Sequence, residues 1–182
     1  MSKEQVDVFV DVLSLWRGAK KAMGETSRVS FIQLRRLIYI KRCDQRRVVH
    51  STAYVTSVVS PVSNYINIVR NKTSSVIKML ESNGFTVKDL SVPTTDANKD
   101  VWNPIIASEI ISTLDACSTI CLVTCSGDYT EPIKIARERG KFVELFTFKE
   151  TLDQVDTGPI DRVVYLTEHN SLFTGSPVWQ TH

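Results

Sequence analysis

Apolar segments with two different periods alternate along this chain. Short runs rich in β-branched residues are typical of strands buried on both faces, and each is followed by a segment whose apolar positions recur every three or four residues, as on one face of a helix. Pro104 has the position of a proline in the first turn of a helix, and Gly140 has that of a glycine just after the end of another helix. The predicted strands cover residues 6–11, 48–59, 85–92, 119–124, 141–148 and 162–166, and the predicted helices cover residues 13–23, 31–38, 63–83, 105–114, 131–139 and 149–155.

This alternation predicts the fold class. Strands that alternate with helices form a mainly parallel sheet covered on both faces, so we expect a three-layer α/β/α sandwich of Rossmann-like topology with the strand at residues 6–11 in its centre. The 182 residues fit one domain, which we place at residues 1–166, followed by a polar C-terminal tail at residues 167–182.

No apolar run approaches the roughly 20 residues that span a bilayer, and the first residues do not resemble a secretion signal. We therefore expect a cytoplasmic protein with no membrane partner.

Positive charge is concentrated at the N-terminal end of the chain. Residues 1–50 carry eleven Lys and Arg against five Asp and Glu, a balance of +6, whereas the remaining residues carry eleven against fifteen, a balance of −4. Such a cluster suits a phosphate backbone, and the alternative is the solvated outer face of two helices. The same alternatives apply to Trp16, which is placed either to stack on a base or to pack in the core.

Several kinds of catalytic site are not indicated. The four cysteines include no C-x-x-C pair and are expected to stay reduced as small core residues, and the three histidines are scattered. A glycine-rich phosphate loop and a G-x-S-x-G nucleophile motif are absent from the sequence. Triad hydrolysis and nucleotide binding through a glycine loop are therefore poor interpretations.

Acidic residues at the predicted strand ends are the remaining candidates for chemistry. Asp11 closes the first strand, Asp128 follows the strand at residues 119–124, and Asp96 and Asp100 lie in the loop before a helix. Converging carboxylates bind Mg²⁺ or Mn²⁺, and the ion then activates water and stabilises charge on a phosphoryl group. The alternative is structural, with Asp11 capping the next helix and Asp128 belonging to a turn.

Four groups of residues add a family resemblance. They are FVDVLSL at residues 9–15 with GAKK at 18–21, KDVW at 99–102, VTCSGDY at 123–129 with PI at 132–133, and RGK at 139–141 with VELF at 143–146. Their order and spacing resemble the NYN family of PIN-like nuclease domains, including its LabA-type bacterial members, over roughly residues 5–166. The resemblance implies a PIN-like fold, RNA as the partner and Mg²⁺ or Mn²⁺ as the cofactor of an active member.

The resemblance also implies roles for particular residues. Asp11, Asp100 and Asp128 become the candidate catalytic residues, and Asp11 and Asp128 the candidate metal ligands. The sequence departs from the family pattern at three positions, where Ser14 replaces an Asn and Trp102 and Ser126 replace acids. Asp100, two positions before Trp102, is a candidate replacement for the missing acid. The candidate residues for nucleic-acid binding are Ser14, Trp16, Arg17, Lys20, Lys21, Lys99 and Ser126.

Three hypotheses about function follow from a site that has lost acids. The first is a PIN-like domain that binds RNA with weak or no nuclease activity. The second is an active metal-dependent ribonuclease that cuts single-stranded RNA with a rearranged acid. The third is a non-catalytic interaction or assembly module that binds a protein partner or forms a homo-oligomer and has kept only the fold.

Overall fold

A computed structural model gives the architecture of the chain and describes residues 4–40, 47–56, 58–59, 65–90, 92–93 and 103–174. The strands are β1 (Glu4–Asp11), β2 (Arg28–Val29), β3 (Arg47–Val55), β4 (Val58–Val59), β5 (Thr86–Asp89), β6 (Val92–Pro93), β7 (Thr119–Val123), β8 (Phe142–Thr147), β9 (Arg162–Tyr165) and β10 (Phe173–Thr174). The helices are α1 (Val12–Met23), α2 (Phe31–Ile40), α3 (Tyr65–Ser82), α4 (Asn103–Thr113) and α5 (Thr130–Glu138), and shorter 3₁₀ segments follow β7, β8 and β9.

The main sheet is six-stranded, with the order β5-β3-β1-β7-β8-β9. Every neighbouring pair in it is parallel, and β1 pairs with β3 on one side and with β7 on the other. The prediction of a parallel sheet with the first strand in its interior is confirmed. Because the carboxyl ends of parallel strands meet at one edge, the residues that follow β1 and β7 are brought together there.

Helices cover both faces of this sheet, which gives the predicted three layers. Side chains alternate along β1, so Val8 and Val10 belong to a core cluster with α1, α2 and the end of α3, whereas Phe9 belongs to a second cluster with α4 and α5. All five residues of β7 are buried, as expected of a central parallel strand. We call the surface above α1 and α2 the first face and the surface above α4 and α5 the second face.

The structure differs from the predicted elements where strands are short or lose a partner. The strand predicted at residues 48–59 ends at Val55, because β1 turns into α1 after Asp11 and the last β1–β3 pair joins Asp11 to Tyr54. The start of the predicted tail packs on the domain: β10 pairs with β2, and Leu172 is buried and accepts a hydrogen bond from the Ser30 backbone N–H at 2.7 Å.

Three cysteines in the described part of the chain are buried and unbridged. They are Cys117, Cys121 and Cys125. Burial raises the pKa of the Cys117 thiol to about 11 and also raises the pKa of Cys125. Among the described helices, none combines the length and apolar character needed to cross a membrane.

Candidate functional site

Asp11 lies at the carboxyl end of β1 and begins α1. Its backbone is extended, and its Oδ1 accepts a hydrogen bond from the Ser14 backbone N–H at 3.0 Å, so it is the N-cap of the helix. Its Oδ2 accepts a hydrogen bond from the Tyr129 hydroxyl at 2.9 Å. The side chain is almost fully buried, with 2% exposure. Asp11 therefore performs the capping role that the sequence left as the structural alternative.

Asp128 lies in a 3₁₀ turn, Gly127–Tyr129, directly after β7. Ser126 caps this turn: its hydroxyl oxygen accepts from the Asp128 backbone N–H at 3.3 Å and donates to Asp128 Oδ2 at 2.6 Å. Unlike Asp11, Asp128 is exposed to solvent. The residue that replaces an acid of the family pattern thus hydrogen-bonds the acid that is retained.

Asn103 and Tyr129 connect the two acids. The Tyr129 hydroxyl lies 2.9 Å from Asp11 Oδ2 and 3.0 Å from Asn103 Oδ1, and Asn103 Nδ2 donates to Asp128 Oδ2 at 2.5 Å. Because Tyr129 has one hydroxyl proton, its two acceptors share or compete for it. The result is a chain of hydrogen bonds that runs from the buried Asp11 through Tyr129 and Asn103 to the exposed Asp128.

A second set of contacts holds α1 against the loop that follows β7. The Ser14 hydroxyl oxygen accepts from the Cys125 backbone N–H at 2.7 Å and from the Thr124 hydroxyl at 3.1 Å. Gly18 permits this close approach, since a Cβ there would lie 2.3 Å from Cys125 Sγ and 2.7 Å from a ring carbon of Phe148. The glycine of the GAKK segment therefore has a packing role beside the candidate site.

The other predicted nucleic-acid-binding residues of α1 divide between the core and solvent. Trp16 is partly buried and packs against the cluster of the first face, whereas Arg17, Lys20 and Lys21 are exposed. Lys20 forms an exposed ion pair with Glu25 at 2.9 Å. The candidate residues Asp96, Lys99 and Asp100 lie outside the described residues, as does Trp102, which replaces an acid of the family pattern.

Two members of the site, Asn103 and Tyr129, were not predicted from the sequence. A signal for Asn103 was present: Pro104 in the first helical turn places the residue before it at the start of α4, where Asn is favoured. No comparable signal marked Tyr129, because a fully buried aromatic residue beside a turn is ordinary core packing until its hydroxyl partners are known.

Comparison with known proteins agrees with this fold. The family model of the NYN domain matches residues 5–157, and the chain therefore belongs to the NYN family. The fold is also similar to that of a crystal structure of a protein of unknown function from Vibrio parahaemolyticus, with a TM-score of 0.66, 18% sequence identity, and coverage of 94% of this chain and 97% of the other. No curated protein matches the chain.

Among the residues that the structure describes, the donor atoms of this site do not form a complete ligand set for a metal ion. Nucleases of the NYN type typically depend on a divalent metal, which carboxylate oxygens hold. Within the described ranges, however, no three His, Cys, Asp or Glu side chains are grouped as metal ligands would be. Asp128 Oδ2 already accepts from Asn103 and Ser126, and the Asn103 amide is neutral. The described arrangement is a polar network that fixes the two acids through hydrogen bonds.

Proposed function

We propose that this NYN domain binds single-stranded RNA along the carboxyl edge of its sheet and cleaves it feebly or not at all. The observation that carries the proposal is the position of the Asn103 amide. It is hydrogen-bonded between Tyr129 and Asp128, where it contributes no negative charge to the two acids. A third carboxylate in this position would add the charge that a divalent ion needs.

The proposed RNA contacts come from the exposed side of α1. This helix starts directly after Asp11, and at about 1.5 Å per residue Arg17, Lys20 and Lys21 lie roughly 9 to 15 Å along its axis from that acid. All three side chains are exposed on the first face. NYN domains interact with RNA in general. A strand whose backbone reaches Asp128 would therefore present further phosphates to these cations.

The hydrogen bonds around the two acids support feeble cleavage. Hydrolysis of a phosphodiester at this site requires a group that activates water and a positive charge that stabilises the phosphoryl oxygens. Asp11 accepts hydrogen bonds at both carboxylate oxygens, one of them as a helix cap. Of the two acids only Asp128 is exposed, and one carboxylate with neutral neighbours holds a divalent ion weakly.

A binding assay tests the RNA contacts. Fluorescence anisotropy with a labelled single-stranded RNA is measured across a range of salt concentrations for the native protein and for the double variant Lys20→Ala/Lys21→Ala. We expect weaker binding by the variant and a shallower dependence of log K on log salt, by about 0.7 for each phosphate that the variant no longer neutralises. The matched control is Lys134→Ala/Arg139→Ala, which removes two exposed charges from α5 and its C-terminal end on the second face.

The outcomes separate the remaining hypotheses. If the α1 variant and the α5 control bind RNA as the native protein does, the proposed contacts are wrong. If the native protein binds no RNA at low salt, the interaction module becomes the better hypothesis. Rapid metal-dependent cleavage of the bound RNA would favour the active ribonuclease.

A further inference from the structure

A cavity lies away from the acids, between α2 and the C-terminal end of α3. Its volume is about 400 Å³. The helix α3 leads into β5, which is two strands from β1 in the sheet. Its described lining residues are Ile32, Arg35, Arg36, Tyr39, Ser82 and Asn83. None of them belongs to the hydrogen-bonded network around Asp11 and Asp128.

Two residues pack against the Arg35 guanidinium group. The centroid of the Tyr39 ring is 4.9 Å from Arg35 Cζ. Gly84 is also close, since a Cβ there would be 2.7 Å from the same carbon. Gly84 also has a φ of 78°, a backbone conformation that favours glycine. A larger residue there would in addition clash with the Arg35 side chain. These contacts hold the guanidinium in place, and its terminal nitrogen atoms are the groups that would bind a ligand.

The two arginines of the cavity are not neutralised by the described chain. Neither Arg35 nor Arg36 forms an ion pair or donates a hydrogen bond to a described residue, and the buried Nε of Arg35 has no partner. Arg36 is exposed. The described lining residues include no carboxylate, so they leave two positive charges uncompensated in the cavity.

Capping of α3 does not account for these arginines. The Gly84 backbone N–H donates to the carbonyl of Glu81 at 2.9 Å, and that of Phe85 donates to the carbonyl of Leu80 at 3.2 Å. The side chains of Ser82 and Asn83 donate to the carbonyl of Met79. The carbonyl groups of Met79, Leu80 and Glu81 are therefore satisfied by the closing turn of the helix.

We propose that this cavity binds a phosphate monoester of a nucleotide. A planar guanidinium edge matches two phosphate oxygens, and two positive charges match a monoester, which carries about −1.5 to −2 at pH 7, better than a carboxylate or an internal phosphodiester. The half-exposed Ile32 supplies an apolar contact for the organic part of the ligand. A cavity of this volume is within the usual range for small-ligand sites. The monoester comes either from a free mononucleotide or from the terminal phosphate of an RNA strand.

Isothermal titration with five probes tests the proposal and distinguishes these sources. The probes are adenosine 5′-monophosphate, adenosine, inorganic phosphate, and one short RNA prepared with a 5′-phosphate and with a 5′-hydroxyl. The variants are Arg35→Lys, which keeps the charge but loses the planar fork, and Arg36→Gln, whose exposed position leaves the core intact. The control is Lys134→Gln on the second face, and thermal unfolding of each variant verifies the fold.

We expect the monophosphate or the 5′-phosphorylated RNA to bind at least about tenfold more tightly than the same ligand without its terminal phosphate, because hydrogen bonds to charged groups contribute strongly. Both arginine variants should lose this preference, and Lys134→Gln should keep it. Binding of the mononucleotide assigns the free nucleotide as a ligand, and a preference confined to the RNA assigns the strand end. Equal affinity for phosphorylated and unphosphorylated ligands, binding of inorganic phosphate alone, or a preference retained by both arginine variants would overturn the proposal. Because 5′-hydroxyl RNA tests the α1 contacts by itself, failure here is distinct from failure of the proposed RNA binding.

Discussion

Replacing Asn103 with Asp is expected to destabilise the domain in a way that Mn²⁺ reverses. The substitution converts the neutral amide between Tyr129 and Asp128 into a third carboxylate. The Nδ2 donor that now lies 2.5 Å from Asp128 Oδ2 becomes an oxygen. Without metal the two carboxylates repel each other, whereas a divalent ion between them turns the same charges into ligands.

The size of the effect follows from the interactions that change. A hydrogen bond to a charged group contributes about 1.5–3 kcal/mol, and two charges 4 Å apart repel by about 1 kcal/mol in water and about 4 kcal/mol at an effective dielectric constant of 20. Since Asp128 is exposed, the lower repulsion applies. The variant should lose about 3 kcal/mol of unfolding free energy, which corresponds to a fall in Tm of roughly 6–12 °C for a chain of this size.

Thermal unfolding in a chelator and in Mn²⁺ checks this prediction. Metal at 100 times its Kd should raise the unfolding free energy of Asn103→Asp by about 2.7 kcal/mol, which is nearly all that the substitution removes. Asn103→Ala is the matched control, because it removes the same hydrogen bonds without adding a carboxylate and should not respond to Mn²⁺. The reasoning is refuted if Asn103→Asp melts like the native protein in chelator, or if Mn²⁺ stabilises the alanine variant equally.

Three further predictions concern the supports of the site and the buried thiols. Tyr129→Phe leaves Asp11 Oδ2 without its hydroxyl donor and should cost about 1–3 kcal/mol in urea unfolding, whereas Tyr165→Phe, on a partly exposed ring, should cost little. Gly18→Ala should cost a similar 1–3 kcal/mol through overpacking, and an unchanged midpoint would show that α1 can move away from the loop. Because burial raises the pKa of Cys117 to about 11, its contribution to stability should be complete below about pH 8.5 and be lost as pH rises towards 11; a Cys117→Ala variant with the same alkaline decline would contradict this.

The fold could be predicted from the sequence because its strands are short, apolar on both faces and separated by segments with helical periodicity. The run at residues 119–124 could hardly be anything except a buried strand, and β7 is buried along its whole length. The pairing of β10 with β2 could not be predicted, since a strand of two residues is too short to show an alternation of apolar and polar positions. Their position depends on Leu172 finding a place in the core, which is a tertiary effect.

The candidate site could be predicted only in part. Asp11 and Asp128 could be placed at one edge because both follow neighbouring parallel strands. Asn103 begins a helix that is distant in sequence from either acid, and only the packing of α4 brings its amide to Asp128. The family pattern has an acid at the position of Trp102. The comparison with that pattern therefore concerned Trp102 and not Asn103, the residue that follows it.

One assay tests the central claim most directly: binding and cleavage of the same labelled single-stranded RNA, followed over time with excess Mn²⁺. Asp11→Asn is the matched variant, because Asn also caps helices and so keeps the start of α1. We predict that the native protein binds the RNA and leaves it essentially intact, with the same time course for Asp11→Asn. Rapid Mn²⁺-dependent cleavage by the native protein that Asp11→Asn abolishes would contradict the proposal and favour an active ribonuclease that depends on Asp11.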